Sequence, residues 1–126
     1  MTIYALSSGS GISGVAVIRV SGPDTKKLIQ AITKSDVPLP RVANVKKFSK
    51  INSNELIDEG ILLWFPAPQS YTGEDMAEFH VHGSRAVIEA LISSISKIEK
   101  CRLAEPGEFT KIAFQNGKIN LLKAES

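Results

Sequence analysis

Two charged residues stand where a folded chain does not hold charge cheaply. Arg19 lies inside VAVIRV, residues 15–20, a β-branched apolar run, on the same face as Val15 and Val17. A guanidinium there needs a carboxylate, a ligand or an exit at the sheet edge, because burial without a partner is expensive. Glu78 poses the matching question inside MAEFHVH, residues 76–82. Alternation puts Ala77, Phe79 and Val81 on one face and Glu78, His80 and His82 on the other. A carboxylate held in a sheet can accept two parallel N–H bonds from a planar heterocycle that carries an amino group beside a ring N–H. Exposure of both residues, or a simple Arg19–Glu78 pair, accounts for the same pattern without a ligand.

The other candidates carry less. His80 and His82 form an H-x-H pair that could hold a metal if a third ligand joined them, with Glu78 on the same face. A half-solvated strand produces the same alternation. Cys101 is the single cysteine, with no local pattern to activate it, and reads as a small buried thiol. Gly9-Ser10-Gly11-Ile12-Ser13-Gly14 matches G-x-G-x-x-G, but it runs into a strand rather than opening the helix whose N-terminus would receive a pyrophosphate. Gly117-Lys118 is followed by Ile119, so it does not complete a phosphate-binding loop. Arg41, Lys46, Lys47 and Lys50 form a basic stretch that could meet nucleic-acid phosphates, or simply keep an edge strand solvated. No aromatic residues interleave to stack bases.

The elements that must position these groups follow from local pattern along the chain. Strands are predicted over residues 2–6, 15–20, 42–49, 56–65, 76–82 and 102–104, the 42–49 strand being exposed. A helix opens around Ser21-Gly22-Pro23-Asp24 with Pro early in its first turn, and Leu28, Ile29 and Ile32 form its apolar face. Gly83-Ser84 leads into an amphipathic helix with Val87, Ala90, Leu91, Ile95 and Ile98 at helical spacing. Glu105-Pro106-Gly107-Glu108 starts another, which Asn116-Gly117 stops. Asn120 reads as the N-cap of a further helix. Residues 66–75, PAPQSYTGED, form a loop. Strands and helices mix without regular βαβ alternation, so the expected class is α+β, a mixed sheet with flanking helices.

The 126 residues suit one domain, and 43% hydrophobic with 22% charged residues describes an ordinary globular chain. No apolar run reaches the ~20 residues needed to span a bilayer, and the lone cysteine suits a reducing compartment. Net charge is +2, yet residues 1–50 hold eight Lys and Arg against two Asp and Glu, while the remainder holds seven against eleven.

TIYAL, GVAVIRVSGP, DEGILLWFPAPQSYTGEDMAEFHVHG and EPGEFTKIAFQNGKINLLKAE, in this order, resemble the N-terminal region of the MnmE (TrmE) family of tRNA-modification GTPases. The likeness is weakest at 24–55. It implies a fold like the tetrahydrofolate-binding domain of aminomethyltransferases, a 5-formyl-tetrahydrofolate-type cofactor, and a homodimer with the pocket near its interface. The family's folate contacts fall on Arg19, Glu78 and Lys118. Residues 1–118 are then expected to be the folate-binding and dimerisation domain, and 119–126 the start of a helical domain cut short. Such a piece lacks GTPase motifs and is not itself an enzyme. The whole family protein adds GTP, magnesium and potassium in a further domain, and works on tRNA with the partner MnmG (GidA), in the cytoplasm or an organellar matrix. Ser10 to Gly14 and His80 depart from commoner family residues. The alternative reading is a dimerisation and tRNA-docking platform that uses residues 41–50 without a competent folate site.

Overall fold

The computed structural model describes residues 1–7 and 14–119. The Gly-rich fingerprint up to Ser13 and the helix expected at Asn120 lie outside them. In chain order the elements are β1 (Thr2–Leu6), β2 (Val15–Ser21), α1 (Thr25–Thr33), β3 (Asn44–Ser49), β4 (Leu56–Phe65), β5 (Met76–His82), α2 (Arg85–Ser96), β6 (Cys101–Leu103) and α3 (Glu108–Gln115). The strands form one sheet in the order β3-β4-β5-β2-β1-β6. All neighbours are antiparallel except β1 and β6. The sheet is therefore mixed, and with three helices the fold is α+β as expected.

The alternation read from the sequence decides which face closes. Ile18 and Val20 of β2, Phe79 and Val81 of β5 and Leu62 of β4 bury against Leu28, Ile29 and Ile32 of α1 and Leu91 and Ile95 of α2. Phe48 of β3 meets Phe79 edge-on, with ring centroids 5.1 Å apart. The expected exposed strand at 42–49 is an edge strand whose one buried residue is Phe48. Phe48 is wholly buried while the other residues of β3 are not, and alternation puts Val45 and Lys47 on the exposed face and Phe48, with a half-buried Lys46, on the core face. Pro23 also precedes the first helical residue, Thr25, instead of lying in the first turn. The Ser84 hydroxyl caps α2 by accepting from the Val87 N–H.

On the opposite face, Ile3, Ser21 and Met76 stand in register across β1, β2 and β5 and are also buried. The 66–75 loop is tied to them. The Ser21 and Thr72 hydroxyls lie 2.8 Å apart, and the Thr72 N–H reaches the Met76 sulfur at 3.4 Å. Arg19 and Glu78 belong to the next row of this face.

Candidate functional site

Arg19 and Glu78 are direct cross-strand partners between β2 and β5. The closest approach of their charged groups, Nη2 to Oε2, is 3.5 Å. The other carboxylate oxygen, Oε1, accepts from His80 Nε2 at 3.0 Å. A carboxylate can only accept, so this ring nitrogen carries the hydrogen. Arg19 Nε is buried and has no hydrogen-bond partner among the described residues.

Two aromatic rings complete the surroundings. The Arg19 guanidinium carbon sits 5.6 Å from the Tyr71 ring centroid and 5.9 Å from that of Phe109, within cation–π range. Tyr71 comes from the 66–75 loop and Phe109 from α3, and the two segments are laced together. The Tyr71 and Thr110 hydroxyls are 3.2 Å apart, and Asn116 Nδ2 donates to the Thr72 carbonyl at 2.8 Å. The first turn of α3 is pinned in turn by a fork. Arg102 donates to both oxygens of Glu108, at 2.8 and 2.5 Å, and the Glu105 N–H adds a bond at 2.9 Å. The Arg102 bonds, then the Glu105 N–H, hold the Glu108 carboxyl down to about 2.

Arg19, Phe65, Tyr71, Met76 and Glu78 line a cavity of about 90 Å³. Whole small-molecule pockets run to roughly 300–1,000 Å³, so this cavity has room for one edge of such a ligand rather than all of it. A planar edge with adjacent donors and a nearby acceptor suits a carboxylate beside an unpaired Nε–H, with aromatic rings close by. The third expected residue is placed differently. A Cβ on Gly73 would lie 3.2 Å from Lys118 Cε, so the lysine stem runs along the loop that supplies Tyr71, but Lys118 does not line the cavity.

Tyr71 and Phe109 were not singled out as site residues by sequence reasoning. Both lie in the YTGED and PGEF motifs, which carry family likeness but no chemical signal of their own. The remaining candidates separate from the site. His82 Nδ1 pairs with Asp58 at 2.9 Å, away from the His80–Glu78 contact. Burial pushes the Asp58 carboxyl up, but the His82 backbone N–H, the His82 ring and the Glu59 N–H outweigh it and hold the carboxyl below its ordinary value. No cluster of three or more His, Cys, Asp or Glu suited to a metal occurs among the described residues. Burial, then Asp24, pushes the Cys101 thiol up, which is the wrong direction for a nucleophile. The basic stretch forms no common face. Lys46 and Lys47 are adjacent in β3 and point to opposite sides. Lys50 pairs with Glu55, and Arg41 donates to the Gln69 carbonyl.

No helix among the described residues is long and apolar enough to cross a membrane. The family described as "GTP-binding protein TrmE N-terminus" matches residues 2–118. The chain is 72% identical over 126 residues to the tRNA modification GTPase MnmE of Pelagibacter ubique, covering 100% of this chain and 28% of that protein. It is 49% identical over 124 residues to the mitochondrial 5-taurinomethyluridine-[tRNA] synthase subunit GTPB3 of Danio rerio, covering 98% of this chain and 25% of that one. The corresponding figures for MnmE of Brucella anthropi are 52% over 124 residues, 98% and 28%. The chain thus spans little more than a quarter of the length of these relatives.

Proposed function

Because the chain belongs to the TrmE N-terminal family, we propose that it is the reduced-folate-binding and dimerisation domain of a tRNA-modifying GTPase. Residues 1–118 constitute that domain in this reading, and 119–126 begin the helical domain that follows it in the whole protein. GTP hydrolysis, tRNA and the MnmG partner belong to the whole protein.

The observation that supports folate binding most directly is the buried Arg19 Nε–H with no acceptor among the described residues. Leaving such a donor unpaired costs about 1–3 kcal/mol, a cost a ligand oxygen removes. The group that fits is a 5-formyl-tetrahydrofolate-type cofactor, which when bound supplies a one-carbon unit. Glu78 accepts from the amino and ring N–H groups of the pterin, and Arg19 donates to a carbonyl or carboxylate oxygen. Lys118, lying along the 66–75 loop, adds positive charge for the cofactor's glutamate carboxylates. A cavity of about 90 Å³ leaves most of such a ligand outside these walls, which agrees with a pocket completed by a second protomer. The tRNA-docking alternative gains nothing from the fold, because the basic residues at 41–50 face different ways.

Calorimetric titration of 5-formyl-tetrahydrofolate into the chain, with light scattering for its mass, tests this. Binding is expected in the native chain and in a dimer, and Arg19→Ala or Glu78→Ala lowers affinity at least about tenfold, the scale of a lost charged hydrogen bond. Lys118→Ala causes a smaller loss. Absence of binding by the native chain, or equal affinity in the Arg19 and Glu78 variants, refutes the folate site. A monomer that binds normally refutes the shared pocket.

A further inference from the structure

We propose that His80 is a positioning residue that holds Glu78 off Arg19, so that both remain open to a ligand. An arginine and a glutamate directly opposite each other in an antiparallel sheet have their Cβ atoms about 4.5–5.5 Å apart. The arrangement expected of such a pair is the two-bond fork, with N–O distances of about 2.7–2.9 Å. Here the pair comes no closer than 3.5 Å, and Arg19 Nε, although buried, has no hydrogen-bond partner among the described residues. Elsewhere in the same molecule Arg102 and Glu108 make that fork, with the Glu105 N–H bonded to Glu108 Oε1 as well.

What competes at Glu78 is His80. It lies two residues along β5 and so shares the face, and its Nε2–H takes Oε1 at 3.0 Å. The backbone of Glu78 is fixed by register with both β2 and β4, so the carboxylate can only rotate about its side-chain torsions. One oxygen held along the strand leaves the other short of Arg19. Across the sheet His80 has Val17 of β2 and Ile61 of β4 as register partners; neither offers Glu78 a side-chain hydrogen bond. Without His80, Glu78 closes onto Arg19, takes the Nε–H, and the donor and acceptor satisfy each other instead of a ligand. His80 thereby makes a preorganised site out of what would be an ordinary ion pair. The identity of the ligand rests on the folate reading above, but the placement of Glu78 does not.

The test uses His80→Leu, apolar like its neighbours, and His80→Gln, which can still donate to Oε1, with His80→Ala in reserve if leucine disturbs the sheet. NMR of the Arg19 Nε–H reports the pair directly. In His80→Leu the signal is expected to move downfield and exchange more slowly with water, whereas His80→Gln leaves it near its native position. Affinity for 5-formyl-tetrahydrofolate is expected to fall about tenfold in His80→Leu, as for one lost charged hydrogen bond, and to stay within about twofold in His80→Gln. Melting temperatures confirm that the variants fold. An Arg19 Nε–H signal unchanged in His80→Leu or His80→Ala overturns the positioning role, whatever the ligand. If the native chain binds no folate while the signal moves as expected, the folate reading fails and the positioning role stands. Equal affinity of all variants, in a native chain that does bind, overturns its importance for the ligand.

Discussion

The fork between Arg102 and Glu108 anchors the helix that carries Phe109, so breaking it should be felt both in stability and at Arg19. Neutralising Glu108 as Glu108→Gln keeps the shape and removes the charge. The fall of the carboxyl from 4.5 to about 2 is worth about 3 kcal/mol if retained in full. Retention is far from full, because the Arg102 side chain is 43% exposed and solvent screens the pair; about 1 kcal/mol is the scale to expect. The folded-state value lies below the unfolded one, so this stability is present above about pH 4.5 and drains away as the pH falls toward 2. Thermal melts of both chains from pH 7 down to pH 2.5 should show the variant melting about 4 °C lower at neutral pH. The gap should close in the acid range. A gap that stays constant across it would refute the assignment of this stability to the ionised carboxylate. No gap at any pH would mean that α3 is held without the fork.

Two further substitutions address the loop and the core. Gly73 has φ near 84°, and a Cβ there would lie 3.2 Å from Lys118 Cε; Gly73→Ala should cost about 1 kcal/mol by thermal melting, and Gly73→Asn less, because asparagine tolerates left-handed backbone better. Phe48→Ala should lower stability by about 3–5 kcal/mol in urea titrations with little change in slope, and a cost under about 0.5 kcal/mol would refute the burial of Phe48.

The parts legible in the sequence were those that a single periodicity decides. Alternation in MAEFHVH separated Ala77, Phe79 and Val81 from Glu78, His80 and His82, in VAVIRV it put Arg19 on one face with Val15 and Val17, and turn residues such as Ser84 and Gly117 marked helix ends. The pairing of Arg19 with Glu78 was stated as one option among several, since alternation gives the face and not the register. What brings them opposite is the β2–β5 pairing between strands separated by α1, β3 and β4, a nonlocal fact. The aromatic cover was illegible for the same reason. Tyr71 in a loop and Phe109 at the start of a helix have no periodic relation to Arg19, and they meet it only because Thr72 is bonded to both Ser21 and Asn116. The exposed strand expected at 42–49 was legible from its lysines, but the one buried position, Phe48, was not, because composition does not settle which face each residue takes.

A sheet with one closed face and one partly covered face explains why charge is tolerated at Arg19. On the α1 and α2 side an unpaired guanidinium would be prohibitive. On the other side the 66–75 loop and α3 shield only part of the sheet. In the rows beyond Arg19 and Glu78, Ile61 and His80 are half-buried, while Val15 and Val45 are 50% and 67% exposed. Arg19 therefore sits at a border. Its Nε is buried with no hydrogen-bond partner among the described residues, while Arg19 and Glu78 both line a cavity. A ligand that places a polar edge in the cavity and its apolar body along that open face would relieve the buried donor and cover exposed valines at once. Charge inside the sheet and apolar surface outside it thus have one common remedy, and that correspondence distinguishes this border from an ordinary surface ion pair.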